Sequence, residues 1–432
     1  RKEMKKKVLS LLLVAAMGIS MLVGCGGGND TPAGGDTQSG AQNDQQGETP
    51  AATGTLTIWA PENQQELLNQ QAEAFKAAYP EYAELDIVVQ LVGDDVAKDE
   101  VLKDVDAAGD VFCLASDQIA SMVDAGAIAR LGGEAETLVK EKMAPSVATT
   151  VTIDGSIYAV PYTHNTFYMY YDKTLMTEDD LKSLDTIMAK DNGTTEDGKP
   201  IYNFLFDGGG GWKLGAWYYG AGCSVYGMDG SDVAAGCDFN NETGVAVTKY
   251  LAEMHANEKL ALGLDVTELI SNHQLGAWFG GDWELKGFTE ALGDDLGYTV
   301  IPTMGINGEQ IQMKSFYSSK VMGVNAKSKN PAAAVAFVTF VNSAEQQALR
   351  FEETSVIPSN TDAANTDAVK NSPLAAVIME ESNNCAIMQP YTKEFGDVYW
   401  NACTTLCDAL KSGELKADNA QEWLDNWVKV FE

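Results

Sequence analysis

The hydrophobic and polar positions divide this 432-residue chain into three regions. Three lysines at residues 5–7 precede a largely apolar run over residues 8–23. Residues 26–54 are small or polar and include no Leu, Ile, Val or aromatic residue. Beyond them, short apolar runs alternate with amphipathic segments, which is typical of a globular body. We therefore predict a leader, a tether and a folded body over residues 55–432.

The order of basic, apolar and small residues in positions 1–24 predicts a secretory signal peptide rather than a structural helix. Its end with Cys25, Leu-Val-Gly-Cys, resembles a bacterial lipobox, in which the cysteine is lipidated before cleavage. We interpret residues 1–24 as a lipoprotein signal peptide and Cys25 as the lipidation site, on the outer face of a bacterial cell membrane. An ordinary signal peptide with a coincidental cysteine is the alternative. Residues 25–54 are then a lipidated, disordered linker, because so polar a segment cannot offset the entropy of ordering it.

Strand and helix patterns alternate where the body begins. Branched and aromatic residues predict strands at 56–59, 85–92 and 110–115, and apolar residues at helical spacing predict a helix over 62–79. This order favours a parallel sheet with helices on its faces. With 378 residues after position 54, the body suits two domains.

Turn and cap residues punctuate the rest of the body. The Asp154-Gly155 pair between two apolar runs predicts a hairpin. Asn330 and Pro331 predict the cap and first turn of a helix that runs towards Leu349. The chain ends in a predicted amphipathic helix whose tryptophans we interpret as core anchors.

The charge balance excludes some partners. The formal net charge is −33, and removing residues 1–24 takes away five basic residues and one acidic residue, which gives −33 − 5 + 1 = −37. A body this acidic repels nucleic acid and anionic lipid surfaces, so we expect no nucleic-acid partner and attachment to the membrane only through the lipid on Cys25. No second apolar run is long enough to span a membrane.

Cysteine and histidine give little material for a metal site. Apart from Cys25 there are six cysteines, none in a Cys-x-x-Cys pair, and three scattered histidines. We therefore expect no metal and no cofactor. Cys403 and Cys407 lie four apart on a predicted helix and are interpreted as buried thiols. A Cys223–Cys237 disulfide stays open as an alternative.

Catalytic motifs are missing, and aromatic residues beside glycines stand out instead. The chain has no Gly-x-Ser-x-Gly motif, and the glycines at 208–211 lack the Lys and Ser or Thr of a phosphate-binding loop. Segments 211–220 and 276–283 and the Tyr399-Trp400 pair could present rings on Gly-rich turns. Such rings stack on sugar faces while nearby polar side chains bond the hydroxyl groups. Asp282 and Glu284, which flank Trp283, keep a surface glycosidase as an alternative.

A series of landmarks then occurs in a fixed order over residues 55–432. They are Leu56-Thr57-Ile58-Trp59, Ala107-Ala108-Gly109-Asp110-Val111, Ser116-Asp117-Gln118, Ala125-Gly126-Ala127-Ile128, Asp154 to Pro161, Tyr171-Asp172-Lys173, Gly280-Gly281-Asp282-Trp283, Ile301-Pro302-Thr303 and Val324-Asn325-Ala326. In these features the body resembles the maltose/maltodextrin-binding proteins, which are extracellular solute-binding proteins of ABC importers.

The resemblance implies a two-lobed periplasmic-binding-protein-like fold (type II), with two α/β domains joined by a multi-strand hinge. Lobe 1 would hold residues 55–163 and 318–358, and lobe 2 residues 167–315 and 362–432. It also implies a monomeric binding protein rather than an enzyme, which captures an oligosaccharide and presents it to the membrane subunits of an ABC importer. Malto-oligosaccharides are the first expectation, and another oligosaccharide or a non-sugar solute is the alternative.

The same resemblance suggests individual site residues. Asp117 matches a carboxylate that bonds sugar hydroxyls, Trp283 matches a stacking platform, Tyr399 or Trp400 matches a second one, and Trp212 lies near a third. Gln118, Leu114 and Asn165 depart from the family pattern, standing where an arginine, a tryptophan and an acidic residue are common. The expected ligand-binding set is Asp117, Gln118, Asn165, Trp212, Trp278, Asp282, Trp283, Tyr399 and Trp400.

Overall fold

The structure, a computed structural model, describes residues 52–206 and 210–432. All of these described residues belong to one compact unit. The predicted signal peptide, the lipidation site Cys25 and nearly all of the predicted linker lie outside the described residues. None of the helices within the described part is long and apolar enough to cross a membrane.

The strands of the described residues are numbered in chain order. They are β1 Gly54–Ala60, β2 Leu85–Leu91, β3 Val111–Ala115, β4 Thr152–Ile153, β5 Ser156–Ile157, β6 Ala159–Asn165, β7 Tyr168–Asp172, β8 Tyr202–Leu205, β9 Leu260–Ala261, β10 Leu275–Gly280, β11 Leu296–Thr299, β12 Thr303–Ile306, β13 Glu309–Gln312, β14 Ser315–Val324 and β15 Ala386–Met388.

The α-helices are numbered in the same way. They are α1 Gln65–Ala78, α2 Ala97–Lys103, α3 Ile119–Asp124, α4 Gly133–Lys142, α5 Pro145–Thr149, α6 Leu184–Ala189, α7 Gly211–Gly220, α8 Glu242–His255, α9 Val266–Ser271, α10 Leu285–Leu292, α11 Pro331–Val341, α12 Ala344–Thr354, α13 Thr361–Ala364, α14 Asp367–Lys370, α15 Pro373–Glu380, α16 Lys393–Ser412 and α17 Ala420–Trp427.

Two sheets organise these elements. The first has the order β15-β14-β3-β1-β2, with β6 paired to β14. The second has the order β11-β7-β10-β8-β9. In the first sheet, β1 lies parallel to β2 and to β3, as the strand-helix-strand pattern predicts. Each sheet packs against its own helices, so the described residues form two lobes.

The two lobes have separate hydrophobic cores. Leu56, Ile58, Phe75 and Phe337 belong to the core around the first sheet. The second sheet is buried on both faces, because side chains alternate along its strands. One face carries Phe167, Met169 and Phe279, and the opposite face carries Tyr168, Tyr170 and Trp278. No residue is shared between the cores of the two lobes.

The chain passes between the lobes at several points. The longest connecting segment is strand β14. Along β14, Phe316 packs into a core of the second lobe and Tyr317 into the core of the first. The chain passes again at Val356 and Ile357, which belong to different cores. β15 lies within the range predicted for lobe 2, yet it pairs with β14 in the first sheet, so it forms a further crossing.

Local predictions are confirmed at several elements. Asp154 and Gly155 have φ of +49° and +74° between β4 and β5, which is the left-handed turn that a tight hairpin needs. The C-terminal helix α17 buries Leu424 and Trp427, and the 3-10 turn after it buries Phe431. Trp427 is therefore a core anchor as predicted, whereas Trp423 is only partly buried against the same core. Cys403 and Cys407 are buried thiols on α16, and Cys223 and Cys237 are separate thiols rather than a disulfide.

The helix predicted from Pro331 towards Leu349 is wrong in its length. The structure has two helices there, α11 and α12, and the Ser343 hydroxyl accepts from the backbone N–H of Gln346 to cap the second. Asn330 does not cap α11 with its side chain. Instead its Nδ2 donates to the carbonyl of Thr55 at 3.2 Å, which ties the helix start to β1.

The segment predicted as a Gly-rich turn, residues 211–220, is helix α7. Its glycines let the helix approach the neighbouring rings closely. A Cβ at Gly215 would lie 2.8 Å from Phe316 Cε2 and 2.9 Å from the Tyr399 hydroxyl. The Gly-and-aromatic pattern therefore encodes tight packing of α7 against α16 and β14.

We predict that Gly215→Ala lowers the free energy of unfolding by about 1–3 kcal/mol, because an added methyl group overpacks this contact. Gly287→Ala is the matched control, since a methyl group added at Gly287, in α10, would meet no neighbouring atom within 4 Å. It should raise the free energy of unfolding by up to about 1 kcal/mol, because alanine favours a helix over glycine. Urea unfolding of both variants measures this, and equal effects would contradict the packing explanation.

Candidate binding cleft

A cavity of about 600 Å³ is lined by residues of both lobes. The first lobe contributes the loop before α2 and the first turn of α2, the turn after β3, the end of β6 and the middle of β14. The second lobe contributes the starts of α7 and α16 and the turn after β10. Ligands of open α/β sheets bind beyond the carboxyl ends of the strands, where the β3 and β10 turns lie. The lining residues are Asp94, Asp95, Lys98, Asp99, Ala115, Asp117, Gln118, Asn165, Trp212, Trp283, Lys320, Gln389, Gly396, Trp400 and Asn401.

Asp117 is one of the carboxylates that the first lobe presents to this cleft. It lies in a short 3-10 turn that follows β3 directly. Burial raises the pKa of Asp117 to about 6, although hydrogen bonds from its own backbone N–H and from Gln389, and the charge of Lys98, act in the opposite direction. A carboxylate in this position can accept hydrogen bonds from ligand hydroxyl groups.

Gln118 lines the cleft as predicted, but its amide is engaged by the protein. Its Nε2 donates to the carbonyls of Asp94 at 3.0 Å and Asp95 at 3.3 Å. Its Oε1 accepts from the backbone N–H of Lys98 at 3.3 Å. Gln118 therefore holds the acidic loop before α2 against the turn that carries Asp117.

Three indole rings line the cleft from the second lobe. Trp212 stands in the first turn of α7, and its ring centroid is 5.7 Å from that of Trp283. Trp400 on α16 is supported at its edges by Phe316, Phe395 and Tyr399, whose ring planes stand at 80–88° to it. Rings anchored in this way offer rigid apolar surfaces to a ligand.

Unused hydrogen-bonding groups point to a polar ligand. The Oε1 atom of Gln389, a residue only 3% exposed, has no partner within the described residues, and the same holds for the Nε1 atom of Trp212. Asn165 is also buried, and its Nδ2 donates to the Ser318 hydroxyl at 3.0 Å. Buried polar groups without partners are costly, so a ligand that supplies donors and acceptors is favoured here.

Two of the predicted site residues belong to the core instead. Trp278 is 1% exposed, stacks on Tyr170 and meets Phe288 edge-on. Tyr399 is fully buried, and its hydroxyl donates to the carbonyl of Gly211 at 2.9 Å. Of the pair Tyr399 and Trp400, only Trp400 lines the cleft, because adjacent residues of a helix face different directions.

Asp282 is the third predicted site residue that does not line this cavity. It is 7% exposed and lines a different cavity, of about 460 Å³, which shares Trp283 with the main cleft. Burial raises the pKa of Asp282 to about 6, and the charge of Lys320 and the backbone N–H of Ile357 oppose that shift. Glu284 caps the turn through the N–H of Gly281 at 3.0 Å. The two carboxylates of the glycosidase alternative therefore do not line the main cleft.

Several cleft residues were missed from the sequence. Lys320, Asp94, Lys98, Gln389 and Asn401 all line the cavity. The signal for Lys320 was a single lysine within an otherwise buried strand, β14. Asp94 and Gln389 lie in loops, where a single sequence carries no periodic signal. Lys98 lies in the first turn of α2 and Asn401 in the middle of α16. Within the described residues, no cluster of His, Cys, Asp or Glu could hold a metal ion.

Two α/β lobes joined by several chain crossings, with an aromatic and polar cleft between them, define a bilobed binding protein. The chain belongs to the bacterial extracellular solute-binding protein family, whose sequence profile matches residues 70–377. A solved structure with acarbose is 34% identical, with a TM-score of 0.81 over 88% of this chain and 99% of that chain. The maltodextrin-binding protein MalE1 of L. casei BL23, 24% identical, has a TM-score of 0.75 over the same shares. The expected type II fold is therefore confirmed.

Two relatives are also similar in sequence. A galactooligosaccharide-binding protein of Bacillus subtilis is 25% identical and covers 97% of this chain and 95% of its own length. A maltooligosaccharide ABC transporter solute-binding lipoprotein of Streptococcus pneumoniae is 29% identical over 62% of this chain and 64% of its own length.

We predict that Asp117 makes stability depend on pH. Because burial raises its pKa from 3.8 to about 6, the folded protein holds this proton more tightly than the unfolded chain. Its contribution is therefore present below about pH 4 and is lost as the pH rises to about 6. The unfolding free energy of the wild type minus that of Asp117→Asn should fall over this range and stay level above it. If the difference in unfolding free energy between the two proteins were constant from pH 4 to 7, the raised pKa of Asp117 would be contradicted.

Proposed function

We propose that this protein captures an oligosaccharide, malto-oligosaccharides first, and delivers it to an ABC importer. The observation that carries the proposal is one cavity that joins three indole rings from one lobe to Asp117 and polar groups of the other. Sugar rings present apolar C–H faces to indoles, and their hydroxyl groups both donate and accept hydrogen bonds. The cleft offers indole rings for the apolar faces and polar side chains for the hydroxyl groups.

The similar proteins support this ligand class. The pneumococcal relative is named for maltooligosaccharides, the Bacillus relative for galactooligosaccharides, and the 34% identical structure was solved with acarbose. All three point to saccharides, and two different oligosaccharides are named among them. A galactose-containing oligosaccharide is therefore the second candidate. Binding without catalysis fits a family of binding proteins.

The proposed mechanism is closure of the two lobes on the ligand. We infer that lobe 1 comprises residues 55–163 and 318–358 and that lobe 2 comprises residues 167–315 and 362–432. Strand β15 crosses from lobe 2 to the sheet of lobe 1. A ligand that touches both lobes gains contacts only when they are close, so it shifts the population towards the closed arrangement. The closed monomer is the form that the importer's membrane subunits would receive.

Lipid attachment at Cys25 is part of the proposal. A pneumococcal relative is named as a lipoprotein, which supports the interpretation of the Leu-Val-Gly-Cys sequence. The linker would then keep the binding protein near its importer on the outer face of the membrane, which raises its effective concentration there.

The first test compares two adjacent rings. We predict that Trp400→Ala weakens maltotriose binding more than tenfold, because it removes both apolar burial and stacking, which alone is worth about 0.5–1.5 kcal/mol. Tyr399→Phe is the control. It loses one buried hydrogen bond and should lower stability by about 1 kcal/mol while affinity changes less than threefold. Calorimetric titration and urea unfolding measure the two effects.

The same titration distinguishes the alternatives. α-Glucans, galactooligosaccharides and a peptide mixture are compared, and the chain length of each sugar is checked after incubation. Binding of a peptide and of no saccharide would contradict the oligosaccharide proposal. Shortening of the sugar would show an enzyme. An effect of Tyr399→Phe equal to that of Trp400→Ala would contradict the assignment of Trp400 to the cleft.

The second test concerns the anchor. We predict that Cys25→Ala moves the protein from the membrane fraction to the medium or the soluble fraction, because the lipid is its attachment. Cys407→Ala, a buried thiol far from the leader in sequence, serves as the control and should stay in the membrane fraction. Immunoblots of fractionated cells measure this, and membrane retention of Cys25→Ala would indicate a different anchor.

A further inference from the structure

Lys320 makes two contacts that join the sides of the cleft. Its Nζ atom lies 2.9 Å from Oδ2 of Asp94, which belongs to the same lobe. The same atom lies 4.2 Å from the ring centroid of Trp283, which belongs to the other lobe. The Lys320 side chain is only 14% exposed and that of Asp94 only 16%. One ammonium group therefore connects the first lobe to an indole of the second.

The position of Lys320 follows from the first sheet. Residue 320 lies in β14 between β3 and β6, opposite Ala115 and Thr163. β3 leads directly into the turn that carries Asp117, so the backbone of Lys320 lies next to that turn of the cleft. Its strand is hydrogen-bonded on both sides, which fixes where the side chain begins.

Charges around Lys320 hold its ammonium group near the ring. Asp94 pairs with it directly, and the charge of Lys320 also acts on the buried Asp282, next to Trp283. A cation over an indole is attracted by the ring's electron density, and the attraction grows as water is excluded. Trp283 therefore contacts both Lys320 and Trp212, whose ring centroid lies 5.7 Å from that of Trp283.

Resting on the proposed oligosaccharide function, we propose that Lys320 is the positioning residue for the Trp283 platform. Aligned by Asp94, its ammonium group holds the indole of the second lobe in place across the cleft. Sugar stacking on Trp283 then requires less ordering of the ring, and the contact itself favours the closed arrangement. The lysine acts through the ring rather than through a bond to the sugar.

The test compares two unbranched side chains that differ in charge. Lys320→Met keeps a flexible apolar side chain of nearly the same length and removes the charge, whereas Lys320→Arg keeps a cation that can lie over an indole and pair with Asp94. We expect maltotriose affinity to fall about tenfold in Lys320→Met and to stay within threefold of wild type in Lys320→Arg. Equal losses in both variants, or tighter binding by Lys320→Met, would overturn the proposal.

Lys98→Met controls for the loss of positive charge. Lys98 lines the same cavity but pairs with Asp99 at 3.4 Å, and no cation–ring contact of Lys98 occurs within the described residues. Its effect on affinity reports the general electrostatic contribution. A loss in Lys98→Met equal to that in Lys320→Met would contradict a role for the ring contact.

A double-mutant cycle separates positioning from direct contact with the sugar. In a Trp283→Ala background, Lys320→Met should change affinity less than twofold, because the partner ring is gone. A full tenfold loss in that background would mean that Lys320 binds the sugar itself. The same cycle on unfolding free energies without sugar measures the coupling between Lys320 and Trp283. If wild type binds no oligosaccharide, the proposed function fails, and the unfolding cycle still reports the contact separately.

Discussion

The pairing of β14 is the constraint on which this structure depends. Its ten residues contact β3, β6 and β15, and alternation along the strand sends Phe316 into a core of one lobe and Tyr317 into that of the other. Where the strand starts, the Ser315 hydroxyl donates to the buried carboxylate of Glu381 at 2.6 Å, and burial raises the pKa of that carboxylate to about 8. Because the strand enters both cores, it fixes where the cleft lies and which residues form its floor.

The cleft is built from the edges of the cores rather than from loops alone. Trp400 stands against three rings of the second-lobe core, and Trp212 contacts Phe167 of the same core at 5.0 Å. A ring supported in this way loses little conformational freedom when a ligand stacks on it. Since no residue belongs to the cores of both lobes, a rotation about the crossings would leave each core packed. Rigid platforms and mobile lobes are therefore compatible in one chain.

The sequence predicted the order of elements better than the directions of individual rings. Strand and helix periodicity located β1, α1, β2 and the hairpin at Asp154, because each depends on neighbouring residues alone. Trp278 and Tyr399 were assigned to the site incorrectly, and the reasons differ. Trp278 is buried because both faces of the second sheet are covered. Tyr399 is buried because a neighbouring helix covers its side of α16. The helical state of residues 211–220 was missed for a similar reason, since its glycines serve contacts with residues about a hundred and more positions away. Long-range packing is what periodicity in a single sequence does not contain.

The charges of the cleft narrow the class of ligand further. Asp94, Asp95, Asp99 and Asp117 line it, whereas Lys98 and Lys320 are its basic residues, each paired with an aspartate. An anionic solute would meet unpaired carboxylates within a body that is already strongly acidic, which is unfavourable. A neutral polyhydroxylated ligand avoids that repulsion, and its hydroxyl groups can donate to the same oxygens. The carboxylates therefore disfavour an anionic ligand, and the rings independently favour a ligand with apolar faces.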